Sequence, residues 1–167
     1  MTAVIDASAL SEIVADTSAA AAILRALRAH AGDLHIPHLA VIETTSVLRG
    51  WTRSGQLDPQ RAEQALADLE AFPATRWPAD PLLPRIWQLR DNLSAYDATY
   101  LALAESLDAI LITRDARLRR AAAGLTPTTI TLPEGQRDAA DPAHPSAETV
   151  GAEPVGEQRV ENADPAR

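Results

Sequence analysis

The chain has 167 residues, enough for one domain with a sizeable core, and 46% of them are apolar. With no cysteine it can hold no disulfide, zinc–thiolate site or iron–sulfur cluster, and it has no thiol nucleophile. A net charge of -8 argues against gripping nucleic acid through a broad basic surface.

That charge is uneven. Residues 134–167 carry eight acids against three arginines, whereas the rest carries 15 acids against 12 arginines and is nearly balanced. Every basic residue is arginine; lysine is absent. The start, Met1-Thr2-Ala3-Val4-Ile5-Asp6, has neither a basic region nor a long apolar run, and no later segment has the length to cross a bilayer. A soluble, cytoplasmic protein with no membrane association is expected.

In chain order, the short apolar runs at residues 3–5, 34–36 and 109–112 predict buried strands, with weaker strands at 75–77 and 128–132. Apolar spacings of three and four predict helices over 18–30, 37–53, 59–71, 80–92 and 94–107. Start signals are Asp16-Thr17-Ser18, Pro37 in an opening turn, and Asp58-Pro59. Asp6 and Asp115 each stand ahead of a further helix that they could cap. Strands alternating with helices imply an α/β domain with a mainly parallel sheet covered on both faces. Beyond Pro133 the composition turns to Pro, Ala, Glu, Asp and Gly, which cannot offset the entropy of ordering. The expected organisation is one domain over 1–133 and a disordered acidic tail over 134–167.

In an open parallel sheet the reactive crevice lies at the carboxyl ends of the strands. Asp6 follows the first strand, Asp115 follows the strand at 109–112, Asp97 opens a helix, and Glu43 falls in the first two turns of another. Singly, each has a plainer reading: Asp6 and Asp115 as helix caps, and Ser94 with Asp97 as a capping box. Glu43 resists that, because its neighbours four residues either way are Leu39 and Val47, so it interrupts an apolar-looking stripe. Caps alone would not need to share one sheet edge.

Two like charges about 4 Å apart repel by roughly 4 kcal/mol at an effective dielectric of 20, so converging carboxylates require protons or a cation. Hard oxygen ligands select Mg²⁺ or Mn²⁺. Such an ion suits phosphodiester cleavage, polarising a phosphoryl oxygen and lowering the pKa of a bound water that a nearby carboxylate orients.

Val4-Ile5-Asp6-Ala7-Ser8-Ala9-Leu10, the inward Glu43, Leu93-Ser94-Ala95-Tyr96-Asp97-Ala98 and Leu111-Ile112-Thr113-Arg114-Asp115-Ala116-Arg117-Leu118 resemble the four acidic motifs of the PIN-domain family. More closely they resemble VapC-like toxins of bacterial type II toxin–antitoxin systems, over about residues 2–132. The resemblance implies a three-layer α/β/α sandwich, Mg²⁺-dependent endoribonuclease activity with Mn²⁺ as a substitute, an RNA substrate, a cognate antitoxin and a homodimer. It implies Asp6 and Asp97 as principal metal ligands, Glu43 and Asp115 completing the cluster, and Ser8 and Thr113 as small hydroxyl supports. Some relatives carry an acid two positions after the last aspartate, where this chain has Arg117. The acidic tail lies outside the family pattern.

Arg114 and Arg117 are candidates for gripping RNA phosphates, as are Arg49, Arg53, Arg119 and Arg120, with a solvated helix face as the alternative. Trp51, Trp77 and Trp87 are read as core or dimer-interface packing residues before base-stacking ones, and the four histidines show no ligand spacing. A haloacid dehalogenase-type phosphatase would want an acid where Ser8 stands, and a receiver domain would want a lysine. No Gly-rich phosphate loop is present. The remaining alternative is a catalytically inactive PIN-like binding module.

Overall fold

Residues 2–28, 33–123 and the backbone of 129–131 are described in a computed structural model of the chain. The tail expected over 134–167 lies outside the described residues. The elements run β1 (Ala3–Ile5), α1 (Ala7–Val14), α2 (Ala20–Leu27), β2 (Leu34–Pro37), α3 (His38–Arg53), α4 (Pro59–Glu70) and β3 (Thr75–Trp77). They continue with a 3₁₀ turn (Asp80–Leu82), α5 (Leu83–Gln88), α6 (Ala95–Ser106), β4 (Ile110–Thr113), α7 (Ala116–Ala122) and β5 (Thr129–Thr131).

The five strands form one all-parallel sheet in the order β3-β2-β1-β4-β5. β1 and β4 are buried at every position, so both faces are covered and their sequences read as unbroken apolar runs. α1–α4 pack on one another, while α5 packs on α6 and α6 lies against β1, β2 and β4; the right-handed crossover rule puts α1–α4 on one face of the sheet and α5–α7 on the other. The result is a three-layer α/β/α sandwich. Its centre is filled by Val4, Ile5, Leu10, Ile36, Leu101, Leu103, Leu111 and Ile112, all at or near zero exposure.

From β1 the chain winds outward through β2 to β3, then returns across the sheet through α6 to β4 on the other side of β1. The strand order therefore reverses between β1 and β4, and the carboxyl ends at such a switch point are where open α/β sheets form their ligand crevice.

Several boundaries differ from the pattern-based expectation. The helix expected over 80–92 breaks into a 3₁₀ turn and α5, because Pro84 has no N–H and its ring crowds the carbonyl four residues earlier. Pro37 closes β2 and precedes α3 instead of lying in its first turn. At Asp16-Thr17-Ser18 the Thr17 hydroxyl accepts from the Ala19 N–H at 3.2 Å in the turn ahead of α2, which itself starts after Ala19 with no side-chain cap, and Asp16 takes φ 50°. The turn from α6 into β4 depends on Asp108 at φ 47°, with the Ala109 N–H donating to the Ala104 carbonyl at 2.9 Å.

Candidate active site at the sheet edge

Asp6 is the first residue past β1. Its own N–H still donates to the Ile112 carbonyl at 3.1 Å, so the β1–β4 pairing carries it to the mouth of the crevice. There it caps α1, accepting from the Ala9 N–H at 2.9 Å and offering its carbonyl to the Leu10 N–H. The side chain is buried at 4% exposure. Ser8 donates to both carboxylate oxygens at 2.7 and 2.9 Å, and the Thr113 hydroxyl donates to Oδ2. Thr113 Oγ1 also accepts from the Asp115 N–H at 2.9 Å, and Ser8 Oγ from the Arg114 N–H at 2.8 Å. The two hydroxyls expected to support the acids thus tie β1's end to β4's end.

Asp115 caps α7, accepting from the Arg117 and Leu118 N–H groups at 2.6 and 3.3 Å. Ser94 caps α6 by accepting from the Asp97 N–H at 3.1 Å, and its hydroxyl donates to Asp97 Oδ2 at 2.9 Å. The capping readings are therefore real. What they leave unexplained is the common edge, since α1, α6 and α7 all begin at the carboxyl ends of the strands and α1 and α7 could have been capped by neutral hydroxyls, as α6 is.

Glu43 sits in the second turn of α3, half-buried along with Leu39 and Val47, while the fully buried stripe is Ala40, Thr44 and Leu48. It borders the core rather than interrupting it. Its Oε2 accepts a 2.5 Å bond from the hydroxyl of Tyr100, a buried residue of α6 that sequence reasoning did not single out. Burial, then the Glu43 charge and hydrogen bond, then the Asp6 charge hold the Tyr100 hydroxyl well above its ordinary value of 10.0, and the Ala7 backbone offsets this in part. Tyr100 thus lies between Glu43 and Asp6 and stays a donor at physiological pH.

Burial pushes Asp6 up to about 6; the bonds from Thr113, Ser8 and Ala9 oppose this, and the Asp115 charge adds to it. Burial is thus the main reason that the Asp6 charge is costly, with the Asp115 charge a smaller one. Among the described residues no three Asp, Glu or His side chains form a ready-made metal cage. The donors nonetheless fit a hard divalent ion in kind: all are carboxylates, Asp6 is buried, and the Asp115 charge acts on it. Mg²⁺ usually takes one or two protein carboxylates and keeps its remaining waters, so a closed cage is not required.

Of the two arginines expected to meet substrate, Arg114 is paired with Glu12 on α1, each side chain 17% exposed, whereas Arg117 is exposed. Trp51 and Trp77 pack against the core as expected, Trp77 donating to His35 Nδ1 at 3.0 Å, but Trp87 is 69% exposed with the Arg90 guanidinium 5.0 Å over its ring. Among the described residues no helix is long and apolar enough to cross a membrane.

An all-parallel sheet in this order, with an acidic crevice at its switch point, is the architecture that the four motifs imply. The PIN domain family model matches residues 3–124, and the chain belongs to the PIN-domain family. It is similar to ribonuclease VapC9 of Mycobacterium tuberculosis, 42% identical over 124 residues that span 71% of this chain and 97% of that protein. It is also similar to ribonuclease VapC1 of the same organism, 39% identical over 119 residues spanning 71% of this chain and 89% of that one. Among solved structures it resembles PAE2754 from Pyrobaculum aerophilum, with TM-score 0.58, 25% identity, and coverage of 78% and 83% of the two chains.

Proposed function

We propose that the protein is a metal-dependent endoribonuclease, hydrolysing an RNA phosphodiester bond at the crevice between β1 and β4, and that it is the toxin of a toxin–antitoxin pair. The observation that carries this reading is Asp6: a buried carboxylate held by three side-chain and backbone donors beside the Asp115 charge, at the switch point of a PIN-domain sheet. The similarity to VapC ribonucleases supports RNA as the substrate.

In this reading Asp6 and Asp97 hold Mg²⁺, or Mn²⁺ in its place, with Glu43 and Asp115 completing the cluster directly or through water. The bound ion supplies Lewis acidity at the phosphoryl oxygen and a bound water of lowered pKa. The chain's own residues supply position. Ser8 and Thr113 lock the rotamer of Asp6, Tyr100 aims the Glu43 carboxylate, and Ser94 fixes Asp97 at the first turn of α6. A half-buried carboxylate such as Glu43 can then orient or deprotonate the attacking water. Arg117, exposed beside Asp115, is placed to meet a substrate phosphate.

The same family membership leads us to propose a cognate antitoxin that covers this edge and a homodimeric state. The test of the catalytic reading is cleavage of a mixed pool of structured RNAs by the full chain in Mg²⁺ or Mn²⁺ against EDTA. Cutting that stops in EDTA is expected; no cutting with any metal would favour an inactive binding module. The toxin role predicts growth arrest on expression, relieved by a co-encoded protein.

A further inference from the structure

Tyr96 and Tyr100 are one helical turn apart on α6, and side chains four residues apart lie one above the other on the same face. Yet they are treated differently: Tyr100 is 3% exposed and reaches Glu43, whereas Tyr96 is 54% exposed. Tyr100 faces the acidic crevice, so Tyr96, one turn nearer the helix start, stands on the same side at its outer rim. It is also the residue next to Asp97. Ile42, next to Glu43 on α3, is 69% exposed as well. Folding gains little from large apolar groups left in water at these positions.

We propose that Tyr96 is a stacking platform for a base of single-stranded RNA flanking the scissile phosphate. This rests on the ribonuclease reading. Outside residues 134–167 the chain carries 15 acids against 12 arginines, and of the two arginines beside Asp115 only Arg117 is exposed, because Arg114, whose backbone N–H meets Ser8 beside Asp6, has its side chain paired with Glu12. One exposed arginine gives little charge to hold a polyanion, and base–aromatic stacking adds binding energy without sequence preference. The flat, exposed ring at the rim suits an unstacked base; a paired duplex would not present one.

The experiment compares the full chain and its Tyr96→Ala and Tyr96→Phe variants in Ca²⁺ buffer, by anisotropy, on labelled oligoadenylate and on a ribose-phosphate oligomer of equal length lacking bases. Wild type and Tyr96→Phe are expected to favour oligoadenylate about tenfold. Tyr96→Ala should lose that preference while binding the base-free oligomer as wild type does. Equal loss on both oligomers, or an unchanged preference, would overturn the proposal, as would a fall in solution mass showing that Tyr96 packs between copies. Failure of the wild type to bind either oligomer, together with no cleavage in Mg²⁺, would instead sink the ribonuclease reading beneath it.

Discussion

Thr113, the last residue of β4, donates its hydroxyl hydrogen to the Asp6 carboxylate from 107 positions away in sequence, and the same oxygen receives the Asp115 N–H. One buried side chain thus couples two acids of the edge. Thr113→Val removes the donor and leaves a buried carboxylate poorly satisfied, so a loss of about 2 kcal/mol in unfolding free energy is expected. Thr113→Ser should recover most of it. Urea titrations of the three proteins check this.

The Asp6 carboxyl at about 6, against its ordinary 3.8, gives the metal-free protein a defined pH response. Between those values the folded state holds a proton that the unfolded chain has released. The resulting stabilisation is full below pH 3.8 and is lost as pH rises through about 6, amounting to roughly 3 kcal/mol. Unfolding free energies measured in EDTA across the range from acid to mildly alkaline pH should fall through this window, and Asp6→Asn should flatten that part of the curve. An identical slope in the variant would reject Asp6 as its source.

Tyr100→Phe deletes the hydroxyl on Glu43 and little else. A stability change near 1 kcal/mol is expected, because Glu43 is only half-buried and water can replace the bond. The larger effect falls on metal: an unanchored Glu43 should weaken Mn²⁺ binding by about tenfold. Calorimetric titration of Mn²⁺ into the variant measures it.

The two arginines beside the site should separate cleanly. Arg114→Ala strands Glu12 at 17% side-chain exposure and is expected to cost about 2 kcal/mol of stability. Arg117→Ala, on an exposed side chain, should leave the melting temperature unchanged and lower the salt dependence of RNA binding by roughly one phosphate contact. The reverse pattern would exchange their roles.

Asp6 and Asp115 are legible in the sequence because each trails an apolar run too short to be a helix, and parallel-sheet geometry then places both at one edge. Glu43 is legible for a partly mistaken reason: it stands out against Leu39 and Val47, yet the buried stripe lies one residue further round the helix at Ala40, Thr44 and Leu48. Tyr100 is hidden because α6 is buried from Ala98 through Ala104, and a tyrosine in such a run reads as packing. Its partner is 57 positions away, and no local periodicity reports a contact of that kind. The one signal for it is a polar handle in an otherwise Ala- and Leu-rich helix. The split of the helix expected over 80–92 is signalled by Pro81 and Pro84, whose chemistry outweighs the apolar spacing.

In the proposed reading, carboxylates from four separate segments act as one divalent-ion site. Calorimetric titration of Mn²⁺ into the full chain, and into Asp6→Asn, Glu43→Gln, Asp97→Asn and Asp115→Asn, tests this most directly. Saturable binding by the wild type is expected, weakened about tenfold or more by Asp6→Asn and Asp97→Asn and less by the other two. Binding that survives both aspartate substitutions unchanged, or a wild type that takes up no Mn²⁺ with RNA present or absent, would contradict the account.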